Sequence, residues 1–136
     1  MNLSREEIVR YRVDRANETL DEARELAATT HWHGTLNRIY YACFYAVTAA
    51  LHAKGHTSKK HSGVLSLFAV HLVKPGSVSK ELGRFYNRLF AARQDLDYTD
   101  FAQVDPIEVR VWLSTASEFV ATVTELAHRQ LKEDTE

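Results

Sequence analysis

The chain is poor in cysteine and has no long apolar run, and both shortages narrow what it can be. Its 136 residues hold one cysteine, Cys43, which sits in an apolar stretch and has no partner for an intrachain disulfide. A lone cysteine among apolar neighbours reads as a small core residue in a reducing compartment, so a cytoplasmic location is expected. No run reaches the roughly 20 apolar residues that a helix needs to cross a bilayer, and a soluble chain with no membrane partner is expected. The start, Met1-Asn2-Leu3-Ser4-Arg5-Glu6-Glu7, turns charged at once and lacks the apolar stretch of a signal peptide. Glycine-rich phosphate loops, a serine, histidine and aspartate triad, zinc-finger spacing, internal repeats and low-complexity tracts are all missing, as is any strand pattern.

What is present is helical punctuation. The first helix opens at Ser4, with Glu7 three residues on to complete a capping box, and carries Val13, Ala16, Leu20, Ala23 and Ala27 at helical spacing until about Thr29. The second runs from about Trp32 to Lys54 and stops at Gly55. From Ile39 to Leu51 only Thr48 is not apolar or aromatic, and a helix apolar all round is buried between others. The third is expected to begin after Thr57 and Ser58 as caps and to end before Pro75-Gly76. The fourth starts near Ser79 and carries Leu82, Phe85, Leu89, Ala92 and Leu96. The fifth begins with Asp105 as N-cap, Pro106 at the first helical position and Glu108 at the third. At this length a core needs no metal or disulfide staple. The expectation is one domain over residues 1–136, an all-α up-and-down four-helix bundle core with a fifth helix.

The formal net charge of -1 hides an asymmetry. Between Ala53 and Arg93 stand eight Lys or Arg against the single acid Glu81, whereas from Gln94 onward there are ten acids and three bases. So dense a basic segment can form a phosphate-facing patch or simply solvate a surface. A second stripe on the second helix, Arg38, Tyr41, Tyr45, Thr48 and His52, reads either as a half-buried seam or as a dimer face. Tyrosine suits interfaces because it joins a large apolar area to a polar tip.

Three segments together carry a resemblance: Asn37-Arg38-Ile39-Tyr40-Tyr41-Ala42, Lys60-His61-Ser62-Gly63-Val64, and Asn87-Arg88-Leu89-Phe90-Ala91-Ala92-Arg93-Gln94-Asp95-Leu96-Asp97-Tyr98. From about Glu18 to Phe119 the pattern resembles the HEPN superfamily of small helical domains. That resemblance implies a homodimer with its cleft near the interface, a minimal (MNT-type) nucleotidyltransferase as partner, and RNA or nucleotide as ligand. It also implies RNase activity in many members, in which an arginine is followed after four to six residues by a catalytic histidine. Here those positions beyond Arg93 are Tyr98, Thr99 and Asp100, and the next histidine is His128.

Metal-independent RNA cleavage needs a base for the 2'-hydroxyl, an acid for the leaving oxygen and a cation for the phosphate charge. Arg93 can supply only the cation, because a guanidinium stays protonated and grips phosphate with two parallel bonds. His61 and Tyr98 are the candidate proton carriers. His61 stands at the start of a helix, where an anion is favoured, and Tyr98 is handicapped at neutral pH by a phenol pKa near ~10. The expected phosphate ligands are Arg38, Asn87, Arg88, Arg93 and Lys60, with Tyr41, Tyr45 and Asp97 at the cleft or dimer face. Asp97 is equally placed for an ordinary ion pair with Arg93 four residues before it. His31, His33, His52 and His56 are not completed by a cysteine or carboxylate cluster, so no metal or other cofactor is expected. The main reading is a helical partner of a nucleotidyltransferase that binds nucleotide or RNA phosphates. The alternatives are an endoribonuclease toxin of a toxin–antitoxin pair and a structural adaptor without catalysis.

Overall fold

The computed structural model describes residues 3–99 and 102–135. Met1, Asn2 and Asp100, which enter the sequence reading, lie outside the described residues. The architecture is all-α: α1 (Arg5–Ala28), α2 (Trp32–Ala53), α3 (His61–Phe68), α4 (Lys80–Tyr98) and α5 (Pro106–Thr135), with no strand among the described residues. No described helix is long and apolar enough to cross a membrane.

Most helix ends follow from the chain's own chemistry. The Ser4 hydroxyl accepts from the Glu7 amide at 3.1 Å while the Glu7 carboxylate accepts from the Ser4 amide at 3.4 Å, so two amides that the helix cannot pair are satisfied reciprocally. Ser79 accepts from the Leu82 amide at 3.1 Å, and Asp105 from the Ile107 amide at 3.0 Å. Beyond α2, Gly55 takes a φ of +88°, a left-handed conformation that costs glycine little and stops the helix.

The third helix ends before Pro75-Gly76 as expected, but differs in how it starts and in its last turn. It begins at His61, because the Ser58 hydroxyl is turned back onto Lys60, accepting from its amide at 3.2 Å and donating to its carbonyl at 3.3 Å, so neither Thr57 nor Ser58 caps it. At the other end the α-helix widens into a π turn over Ala69–Val73, closed by the Lys74 amide donating to the Ala69 carbonyl at 2.9 Å. The wide turn leaves Leu72 fully buried, and the Leu72 carbonyl then accepts from the amide of buried Val78 at 2.9 Å.

α2 is the axis of the packing. Ile39, Tyr40, Ala42, Cys43, Ala46, Val47 and Ala49 are all fully buried, enclosed by α1, α5 and α4 with α3 closing the remaining side. The many alanines let those neighbours approach closely, and an aromatic seam of Phe68, Tyr86 and Phe119 ties α3, α4 and α5 together. One chain therefore covers most of α2. Only Tyr41, Phe44, Tyr45 and Thr48 remain half-buried along its middle.

Val47 is fully enclosed, so Val47→Asp should strand an unpaired carboxylate at a cost on the order of 4 kcal/mol. Thermal melting followed by circular dichroism should show the variant unfolded or melting far below wild type. A melting temperature within a degree or two of wild type would remove the buried-axis assignment.

Candidate functional site

The half-buried side of α2 faces the first residue of α3 and the last two turns of α4, and there three helices bring their polar side chains together. The Tyr40 ring is fully buried, as its place in an apolar run requires, but a buried phenol needs a partner for its hydroxyl. That partner is His61, whose Nδ1 lies 2.8 Å from the Tyr40 hydroxyl. The His61 ring also stacks on Phe44, with centroids 4.3 Å apart and planes within 12°. Arg93, reaching in from α4, places Nη1 3.4 Å from the same Nδ1 and donates through Nη2 to the Tyr41 hydroxyl at 3.1 Å.

Cation and aromatic contacts fix the guanidinia. Arg93 lies over the rings of Tyr40 and Tyr41 at 5.3 and 5.5 Å, and Arg38 approaches the Tyr41 ring at 5.2 Å. Two guanidinia thus converge on one tyrosine. Each keeps a carboxylate nearby: Arg93 Nε is 2.9 Å from Asp97 Oδ2, and Arg38 Nη1 is 3.7 Å from Glu22 Oε2. Arg93 Nε is nonetheless buried without an aligned acceptor, so the Asp97 contact is an ion pair rather than a directed hydrogen bond. Arg38 further donates to the Asn37 side-chain oxygen at 2.7 and 3.0 Å, which orients it toward the cleft wall.

The protonation states follow from burial and charge. Burial raises the Tyr40 phenol to about 12, partly offset by Arg93, so Tyr40 keeps its proton and is the donor. Burial and then Arg93 hold His61 below its ordinary range, against a smaller opposite pull from Asp97, so it is neutral at pH 7. With Tyr40 and Arg93 both offering N–H or O–H to Nδ1, the neutral ring is assigned its proton on Nε2. Among the described residues Nε2 has no hydrogen-bond partner, which leaves it as a free donor on the side of the ring away from Tyr40 and Arg93. The two guanidinia that meet at Tyr41 can therefore receive an anion together.

Of the residues singled out from the sequence, Arg38, Tyr41, His61, Arg93 and Asp97 come together. Tyr45 flanks them, its ring 6.2 Å from that of Tyr41 and 5.3 Å from the Arg15 guanidinium. Lys60 is exposed at the N-cap of α3 next to His61. Arg88 is not brought to the cluster: it lines a groove against Val111 and Trp112 of α5. Asn87 is exposed and returns its amide to the Gly83 carbonyl at 3.0 Å, and Tyr98 is 84% exposed. Phe44 was read only as part of the apolar run Ile39 to Leu51, and Tyr40 only within that run and the segment that carries the resemblance. The one clue to Tyr40 was a hydroxyl on the fully apolar side of the second helix, away from the Tyr41, Tyr45 and Thr48 stripe. Among the described residues no three His, Cys, Asp or Glu side chains are grouped to hold a metal ion.

The HEPN domain family model matches residues 9–126. A UPF0332 protein of Thermotoga maritima is 43% identical over 122 residues, which cover 90% of this chain and 92% of that one. A protein of Methanocaldococcus jannaschii named as a candidate toxin is 35% identical over 86 residues, covering 63% of this chain and 58% of the relative. A second candidate toxin of the same organism is 29% identical over 99 residues, covering 73% and 74%.

A histidine held neutral in the fold but protonated at 6.5 in the unfolded chain makes folding weaken as pH falls through 6.5 toward the lower folded value. His52 and His56 are shifted in the same direction and add to the slope. Urea melts across the weakly acidic range should show falling stability, and His61→Gln should flatten part of that fall. An unchanged slope in His61→Gln would mean that the ring titrates as in the unfolded chain.

Proposed function

The chain belongs to the HEPN domain family, and on that premise we propose that it is the toxin-like helical member of a pair with a minimal nucleotidyltransferase, binding RNA or nucleotide phosphate at Arg93, Arg38 and His61. The observation that carries this reading is the convergence of both guanidinia on Tyr41, with His61 held against Arg93 through Nδ1. A phosphate oxygen pair matches the two parallel N–H bonds of Arg93, and Nε2–H of His61, directed away from Arg93, is free to meet a further oxygen of the ligand. The competing Asp97 contact is a helical pair four residues apart, a class worth only about 0.5 kcal/mol, whereas charge-assisted hydrogen bonds contribute about 1.5–3 kcal/mol each. Asp97 lies against Nε, so a phosphate would meet the Nη groups of Arg93. The relatives named as candidate toxins support the toxin-like role, and the half-buried stripe of Tyr41, Tyr45 and Thr48 supports a homodimer built across this side of α2.

One observation favours a second reading, a metal-independent endoribonuclease. His61 meets Arg93 in space and so supplies the histidine that the segment after Arg93 lacks. As a base, however, the ring would have to expose an unprotonated nitrogen, and Tyr40 and Arg93 both engage Nδ1 as an acceptor. Binding without cleavage is the expected behaviour.

RNA affinity measured against salt should fall steeply, and Arg93→Ala should lower affinity about tenfold or more and reduce the salt slope by about 0.7, the single-strand value for one neutralised phosphate. Wild-type protein should leave RNA intact in EDTA. Cleavage in EDTA that Arg93→Ala abolishes would establish the endoribonuclease instead, with loss in His61→Ala marking the proton carrier. Absence of both binding and cleavage, with or without the nucleotidyltransferase, would leave a structural adaptor.

Sedimentation should show a dimer at micromolar concentration that Tyr45→Glu weakens. A monomeric wild type would withdraw the dimer.

A further inference from the structure

A cavity of about 190 Å³ opens on the far side of Phe44 from His61, between α1, α2 and the segment leading into α3. Its walls are Phe44, Leu51 and Val64, its rim carries Tyr45, Thr57 and Ser58, the Ser58 hydroxyl being held by Lys60, and Arg12 enters from α1. Arg12 is anomalous. Among the described residues four arginines lack a carboxylate partner, and Arg84, Arg88 and Arg110 are exposed, whereas Arg12 is half-buried. Its one hydrogen bond is a long 3.4 Å contact from Nη1 to the Thr48 carbonyl, which leaves most of its donors unused. Burial lowers its pKa, the direction expected of a cation withdrawn from water without a counter-ion.

No carboxylate lines the cavity, so nothing on its walls neutralises that charge. Its volume is small for a whole drug-sized ligand, and suits a phosphate with part of a sugar. Phe44 connects it to the arginine cluster, since the ring walls this cavity and stacks on His61. Tyr45, which also lines it, lies against Tyr41.

We propose that this cavity is a second phosphate subsite, in which Arg12 and the Thr57 hydroxyl take the phosphate of the nucleotide next to the one held by Arg93 and Arg38. The inference rests on the phosphate reading of the Arg93 cluster and extends it to a chain: a ligand with at least two successive phosphates occupies both sites, its sugar passing over Phe44. A free mononucleotide and an RNA backbone share this chemistry, and chain length separates them.

Two uncleavable 2'-O-methyl RNAs serve as probes, a dinucleotide with one internal phosphate and a longer oligomer with several. Arg12→Gln should weaken the longer oligomer about tenfold, the worth of a charge-assisted hydrogen bond, and lower its salt slope, while dinucleotide affinity stays at the wild-type value. Thr57 is exposed, so Thr57→Glu leaves the core untouched and should have the same effect by placing a carboxylate beside Arg12. That variant decides the matter if Arg12→Gln fails to fold. Equal weakening of both RNAs by Thr57→Glu would mean one phosphate site rather than two. Wild-type affinity for the longer oligomer in both variants would overturn the subsite. Should wild type bind neither RNA, the Arg93 reading fails, and inorganic phosphate then tests the cavity alone by amide shifts. Movement of the Thr57 and Ser58 signals, lost in Thr57→Glu, keeps it as a free-phosphate or mononucleotide site, and unmoved signals end the proposal.

Discussion

The enclosure of α2 dictates the rest of the molecule. A helix with apolar or small residues on nearly every face cannot stand at a surface, so α1, α5 and α4 must wrap it, and α3 must close what they leave open. The wrapping is incomplete along Tyr41, Phe44, Tyr45 and Thr48. It is there that a polar cluster can exist, because a buried wall of aromatic rings gives the guanidinia of Arg38 and Arg93 a surface to lie on without removing them from solvent. The same enclosure buries Tyr40 and forces its hydroxyl to find His61, which fixes where the start of α3 can sit.

From that geometry the electrostatics follow in one direction. Burial keeps the proton on Tyr40, Tyr40 and Arg93 both point donors at Nδ1 of His61, and the ring is left neutral with its proton on Nε2, away from both. An arrangement of three donors and no free acceptor holds an anion better than it removes a proton. Arg12 repeats the theme beyond Phe44, where a half-buried cation faces hydroxyls and no carboxylate.

The helices were legible where one residue carries the signal. Ser4 with Glu7, Ser79, Asp105 with Pro106, and Gly55 each act on their immediate neighbours, so spacing alone reveals them. The π turn over Ala69–Val73 was not legible, because it answers to the burial of Leu72 and Val78, a tertiary demand. Ser58 misled for a local reason, since its hydroxyl had a nearer partner in Lys60. Within the site, Arg93 with Asp97 could be read from helical spacing, but the meeting of Arg93 with His61 joins residues 32 apart in the chain. Arg88 and Tyr98 could have been set aside from the sequence. Each is five residues from Arg93, about 140° around the helix, and so cannot share its face.

The central claim is that His61 stands beside Arg93 as a neutral donor to a bound phosphate, and nitrogen-detected NMR of the imidazole reads that state directly. At neutral pH the ring should show its proton on Nε2, and adding 2'-O-methyl RNA should shift the Nε2 resonance in wild type but not in Arg93→Ala. A ring protonated on Nδ1 with Nε2 bare would point to a base, and an Nε2 resonance indifferent to RNA would contradict phosphate binding at this site.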